Sequence, residues 1–272
     1  DSLRKAFGEP EIQYYSGGHY TVIRHIISAL DRVSRFFAAT SGATETREIV
    51  RAKEPPTIDG KLDDAVWQGA EQILVDRPHG RAGLAAESPP MIARLAWDEH
   101  YLYLGYEIRN ADLDGERDRL ARAQFFLSLG RPTEFWEMQH AAGNEFSTHW
   151  CVVPPAAELR AKPKVEPADV RRDRQPFVAN DGKHSASHAI EQLPNDAGFR
   201  GEIRLPWSGL GLPAERKQKD DSFRLSGLEF QILSAVLIGN DGEARTWSSG
   251  ELPNQPLHFS NSRWPRYILA KP

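Results

Sequence analysis

Met-Ile-Ala-Arg-Leu-Ala-Trp-Asp-Glu-His-Tyr-Leu-Tyr-Leu-Gly-Tyr-Glu-Ile-Arg, residues 91–109, holds two runs of alternation joined by a turn. Met91, Ala93, Leu95 and Trp97 alternate with Ile92, Arg94 and Ala96. Asp98-Glu99-His100 supplies turn-forming residues. Leu102, Leu104, Tyr106 and Ile108 then alternate with Tyr103, Gly105, Glu107 and Arg109. Successive side chains of a strand point to opposite faces, so this pattern predicts an antiparallel hairpin with one buried face.

The same period recurs outward from the hairpin. Phe125, Leu127 and Leu129 form one set, and Phe146, Thr148, Trp150 and Val152 another. Phe199, Ile203 and Leu205 alternate with Arg200, Glu202 and Arg204. Phe223 and Leu225 are followed by Leu228, Phe230 and Ile232, and the slip of phase at Gly227 predicts a β-bulge. Many short strands between turn clusters predict an all-β, antiparallel β-sandwich of jelly-roll or immunoglobulin-like type over residues 48–272. Asp63 to Gln68 predicts one helical turn capped by Asp63 or Asp64. Residues 154–196, with Pro154, Pro155, Pro163, Pro167, Pro176 and the run Arg171-Arg172-Asp173-Arg174, predict a long surface excursion containing a strand near His184–Ile190.

Residues 1–47 read as an N-terminal extension and linker. Val22, Ile23, Ile26, Ile27, Leu30, Val33 and Phe37 fall at helical spacing opposite Arg24, Ser28, Asp31, Arg32 and Arg35, which predicts an amphipathic helix over 20–39. It would pack on the sandwich, dock a protein partner, or lie on a membrane surface. Thr40 to Thr46 is small and polar, as linkers are. A start at Asp1 reads as processing or trimming of the chain.

The chain has 272 residues and a net charge of −4, from 34 basic and 38 acidic side chains, which gives no global drive toward nucleic acid. No apolar run approaches the roughly 18–20 residues of a transmembrane segment. Cys151 is the one cysteine, so no intrachain disulfide forms, and a small buried core residue is the expected role. No nucleophile elbow, zinc-protease motif or phosphate loop occurs, and Gly209-Leu210-Gly211 lacks the rest of a dinucleotide fingerprint. The pairs Asp63/Asp64 and Asp220/Asp221 are explained by turns and capping. His184 and His188 sit four apart, but in an alternating stretch without an acidic partner, so they do not read as a metal pair. Function is therefore expected from a binding surface.

Seven tryptophans bear on that surface. Trp67, Trp97, Trp136 and Trp207 sit in core phases, whereas Trp150, Trp247 and Trp264 lie near turns or the chain end and are candidates for contact with a ligand. If Met138 faces the core with Trp136 and His140, then Phe135, Glu137 and Gln139 line an open face of the sheet. Glu137 and Gln139 would stand about 7 Å apart there, a span that suits neighbouring hydroxyls. Asn144 is either a turn former or a further contact, and Arg204 and Arg266 are either contacts or solvated charges. Stacked aromatics with planar polar groups suit the C–H faces and hydroxyls of a sugar.

The order of signatures is similar to that of carbohydrate-binding module family 9, and closer to the family-9-like domains of bacterial secreted proteins. The signatures are Ile58-Asp59-Gly60-Lys61-Leu62-Asp63 with Trp67, Leu95-Ala96-Trp97-Asp98 with Tyr101-Leu102-Tyr103, Phe135-Trp136-Glu137-Met138-Gln139-His140, Ala142-Gly143-Asn144-Glu145, Glu202-Ile203-Arg204-Leu205-Pro206-Trp207, Thr246-Trp247-Ser248, and Arg263-Trp264-Pro265-Arg266-Tyr267. The resemblance implies a secreted or periplasmic, non-catalytic domain that holds a polysaccharide or oligosaccharide, as a targeting module in carbohydrate catabolism. It implies contacts from Phe135, Glu137, Gln139, Asn144, Trp150, Trp247, Trp264 and Arg266. The chain departs from the family at Arg122-Ala123-Gln124, where acidic residues are common, and at His149-Trp150, where Trp-Asp is common. An acid that would bind calcium or a sugar hydroxyl is thereby lost. The expectation is no cofactor, with calcium left open. Two rival readings remain. One is an assembly module docking through helix 20–39. The other is a haem domain of the related DOMON type, with Met91, Met138, His140 and His149 as possible axial ligands.

Overall fold

The computed structural model describes residues 46–79, 90–109, 121–130, 134–152, 171–174, 185–194, 197–212, 216–219, 223–238, 245–249 and 264–270. They belong to a compact unit spanning Thr44–Pro272. The helix expected over 20–39 lies outside the described residues.

The elements run β1 (Thr46–Arg51), α1 (Ala65–Gly69), β2 (Ile73–Val75), β3 (Arg77–His79), β4 (Met91–Trp97), β5 (Tyr101–Arg109), β6 (Arg122–Ser128), β7 (Glu134–Ala141), β8 (Phe146–Val152), β9 (Arg171–Arg174), β10 (Ser187–Gln192), β11 (Gly198–Pro206), β12 (Glu229–Ile238), β13 (Arg245–Ser248) and β14 (Arg266–Leu269). The fold is all-β. One sheet has the order β14-β12-β6-β7-β8-β9, and the other has the order β10-β11-β5-β4. The predicted hairpin is β4–β5, in register from Met91↔Ile108 to Trp97↔Leu102.

Strand β1 joins the two sheets. Thr46 to Ile49 pair with β14, then Val50 and Arg51 pair with β4. Both pairings are parallel, which corrects the purely antiparallel expectation. A strand that switches sheets makes a corner of the sandwich, and the alternation of one strand carries no record of its neighbour's direction.

The inner faces meet in one apolar cluster. The first sheet contributes Phe125, Leu127, Trp136, Met138, Phe230, Ile232 and Val236, and the second Met91, Leu95, Leu104, Tyr106, Ile108, Phe199, Ile203 and Leu205. Each such side chain is worth about 1.5–3 kcal/mol when withdrawn from water.

Three local expectations change. Gly227, at φ 71°, sits in a turn closed by Leu228 N–H to Leu225 C=O at 2.7 Å, not in a bulge, and β12 starts only at Glu229. Asp64 stands at the N-terminus of α1 without capping it; its carboxylate accepts the Thr57 N–H at 3.0 Å instead. The run Arg171–Arg174, expected within the surface excursion of residues 154–196, is the strand β9 paired with β8.

Two buried carboxylates tie the signatures together. Glu202 lies on the outer face of β11 yet is fully buried. It accepts N–H groups of Asp59 at 2.9 Å, Gly60 at 2.7 Å and the Trp67 indole at 2.7 Å. Burial pushes its carboxyl above the ordinary range, while these three donors pull the other way. Asp98 accepts the N–H of His100 and of Tyr101, each at 2.7 Å, and the Tyr103 hydroxyl. Its carbonyl takes the Trp207 indole N–H at 2.9 Å. The first, second and fifth signatures thus act in holding the fold.

Candidate functional site

Strand parity sets the geometry of the outer face of the β12-β6-β7-β8 sheet. Met138, Trp136 and His140 face inward, so Phe135, Glu137 and Gln139 face outward. The registers Phe126↔Glu137, Glu137↔His149, Gln124↔Gln139 and Gln139↔Ser147 place these side chains in rows across adjacent strands. Rows of one face are about 7 Å apart and neighbouring strands about 4.8 Å apart.

One end of this face is apolar and closed. Phe126, Phe135, Cys151, Leu233, Ala235 and Trp264 form a second cluster. The Phe135 and Trp264 rings lie 5.3 Å apart at 74°, and Phe126 lies 6.0 Å from Trp264, edge and tilted contacts that aromatic quadrupoles favour. Phe135 is 2% exposed and Trp264 1% exposed. Here the expected open face is corrected: Trp264, from far along the chain, covers Phe135. The Trp264 indole N–H is buried and has no acceptor among the described residues.

The other end is polar and half-buried. It holds Arg122, Gln124, Gln139, Ser147 and His149. Glu137 stands at the boundary, 4% exposed, which corrects its expected place on an open face. Its carboxylate accepts the Gln139 amide at 2.9 Å and the Cys151 thiol at 3.6 Å. Cys151 is buried, as expected. The His149 Nδ1 is buried without a partner among the described residues. Arg122, Gln124 and Ser147 complete the shelf on the same face.

The remaining expected contacts lie elsewhere. Trp150 belongs to the inner face, 5.0 Å from Trp136, and does not share a surface with Glu137. Trp247, a candidate for ligand contact by its place near the chain end, is instead buried in the main core. Arg266 is exposed on β14, in register with Gln231 of β12. That places it three strands from Glu137.

Asn144 forms a different constellation. It holds a φ of 61° in the β7–β8 turn, a left-handed conformation that Asn tolerates. Its Oδ1 accepts from His140 Nε2 at 3.0 Å and from His188 Nδ1 at 3.1 Å. With Nε2 donating, His140 Nδ1 accepts the Tyr106 hydroxyl at 2.9 Å. The chain Tyr106–His140–Asn144–His188 thus links β5, β7 and β10 across the two sheets. Burial pulls the His140 imidazole down to about 4, which keeps it neutral at physiological pH.

Met91 and Met138 are core residues. Among the described residues, no group of three or more His, Cys, Asp or Glu side chains gathers to hold a metal ion.

Parity in the sequence placed Glu137 and Gln139 correctly on one face. It also carried Arg122, Gln124, Ser147 and His149, but their membership depends on the β6–β7–β8 register. The positions noted as departures, Arg122, Gln124 and His149, are the ones that complete the shelf.

No protein-family model matches the sequence, and no curated protein sequence matches it. Solved structures do match. A carbohydrate-binding module of family 9 from Caldicellulosiruptor kristjanssonii, in complex with glucose, is 13% identical with a TM-score of 0.54, covering 84% of this chain and 97% of that one. The cellotriose complex of a family 9 module from the same organism is 13% identical with a TM-score of 0.53, covering 84% and 95%. A candidate carbohydrate-binding protein from Bacteroides uniformis is 12% identical with a TM-score of 0.51, covering 83% and 99%. The described sandwich therefore has the fold seen in carbohydrate-binding modules of family 9.

Proposed function

We propose that this protein is a non-catalytic carbohydrate-binding domain, and that its glycan lies on the shelf formed by Arg122, Gln124, Glu137, Gln139, Ser147 and His149. The observation that carries the reading is this row-ordered set of planar polar groups beside an aromatic cluster, on a fold whose solved relatives hold glucose and cellotriose. Amides, a carboxylate, an imidazole and a guanidinium match the in-plane directions of sugar hydroxyls. A shelf of three strands and two to three rows covers roughly 10 by 14 Å, room for one or two sugar rings. The buried triad Phe126, Phe135 and Trp264 supports the shelf from one side; stacking would need Phe126 to become more open.

In this reading the domain brings a polysaccharide-degrading system to its substrate outside the cytoplasm. Titration calorimetry and tryptophan fluorescence across a panel of oligosaccharides test it. Saturable binding that weakens with Gln139→Ala supports the reading. No heat and no fluorescence change with any glycan would overturn it.

A further inference from the structure

The hydrogen-bond balance of the shelf is one-sided. Its acidic group, Glu137, is largely occupied: it accepts the Gln139 amide at 2.9 Å and the Cys151 thiol at 3.6 Å, and is 4% exposed. What remains to meet a ligand is rich in donors. Arg122 is a half-buried residue and makes no hydrogen bond or ion pair among the described residues. Gln124 stands beside Gln139 in the register. Beyond His149 lies β9, where Arg174 is in register with His149 and Arg172 with Cys151, in a strand of sequence Arg-Arg-Asp-Arg. Arginine positions thus stand on strands at both sides of the shelf, β6 and β9, in a chain whose net charge is −4.

From this charge pattern we infer that the ligand is an anionic glycan, one carrying a carboxylate or sulfate on the sugar ring. The inference rests on the carbohydrate-binding reading above and narrows it. An anionic oxygen group is the complement of a guanidinium without an acceptor, because it accepts a charge-assisted, two-point bond from the planar fork. A neutral sugar offers Arg122 only uncharged acceptors, and these bind a guanidinium less strongly than a carboxylate or sulfate does. Net repulsion from the acidic chain would slow approach, and the local border of arginines offsets it.

The test uses the full chain and three acidic probes: trigalacturonate, trimannuronate and a sulfated galactan tetrasaccharide. Each is paired with its methyl-esterified, reduced or desulfated neutral counterpart. The expected result is binding of at least one acidic probe at least tenfold tighter than its neutral partner, weakening with added salt. Arg122→Ala should lower that affinity tenfold or more, and Arg122→Lys should restore part of it. Circular dichroism of both variants guards against loss of fold. The carboxylated and sulfated arms separate the two anionic classes. Neutral probes bound as tightly as acidic ones, or acidic binding indifferent to Arg122→Ala in a folded variant, would overturn the inference and leave the carbohydrate reading standing. Failure of every glycan, neutral and acidic, would remove both.

Discussion

Glu202 accepts the indole N–H of Trp67 at 2.7 Å, although 135 residues separate them in the chain. The same carboxylate takes the backbone N–H groups of Asp59 and Gly60. It therefore clamps the loop before α1, and α1 itself, onto the outer face of the β11–β5–β4 sheet. With Ala52, Leu62, Tyr103 and Ala96, Trp67 forms a satellite apolar cluster there.

Removal of that carboxylate is expected to be severe. Glu202→Ala leaves three donors without an acceptor in a buried place, at about 1–3 kcal/mol each. The free energy of unfolding should fall by at least about 3 kcal/mol, with Glu202→Gln intermediate. Urea denaturation followed by tryptophan fluorescence measures this. A change under about 1 kcal/mol for Glu202→Ala would refute the clamp.

Gly60 is required by both conformation and space. It adopts φ +90°, and a Cβ there would lie 2.6 Å from the Glu191 nitrogen and 2.7 Å from the Ile190 carbonyl carbon. Both are backbone atoms of β10 and cannot swing aside. Gly60→Ala should destabilise by about 2 kcal/mol or more, and should weaken the Glu202 clamp with it. Thermal unfolding of the variant, alone and combined with Glu202→Gln, should show less than additive losses.

The His140 network sets an acid limit. The imidazole falls to about 4 in the folded protein from an ordinary 6.5, so the unfolded chain binds its proton first. The stability associated with neutral His140 is complete above about pH 6.5 and is lost as pH falls toward 4. The full loss is about 3 kcal/mol. His188, also lowered by burial, adds in the same direction. In melting temperatures measured from pH 7 to pH 4, His140→Gln should flatten the decline while lowering stability at pH 7. An unchanged slope would show that other groups carry the acid sensitivity.

Gln139 links the shelf to the buried Glu137 carboxylate. It is half-buried at the polar end of the shelf, where truncation to Ala removes an amide without opening the core. Gln139→Ala should reduce glycan affinity about fivefold or more, and, because it takes a donor from the buried Glu137 carboxylate, should lower the unfolding free energy by about 1–3 kcal/mol. Equal affinity in calorimetry would place the glycan elsewhere on the molecule.

The β4–β5 hairpin was legible because alternation there is nearly unbroken and the Asp98 turn interrupts it once. Parity also placed Phe135, Glu137 and Gln139 opposite Met138. The reading failed where a face is covered from a distance. Phe135 looks like an exposed aromatic until Trp264 is brought over it, and Glu202 looks like a solvated strand charge until Trp67 and Gly60 close on it. Trp247 and Trp264, near the chain end, were candidates for contact with a ligand, and both are buried. Proximity to a terminus carries no information about which sheet the segment closes. The cap at Asp64 failed for a related reason: the Thr57 N–H competes for its carboxylate.

By itself the sequence determined the strands, the two faces of each, and the residues that share a face, because side-chain direction follows from the period-two geometry of the local backbone. Only the tertiary structure decided that β1 joins the sheets in parallel, that one outward face is half sealed, and that Arg122, Gln124, Ser147 and His149 adjoin Glu137 and Gln139. Those outcomes depend on register and on cover from segments more than a hundred residues away, and neither leaves a periodic trace in the chain.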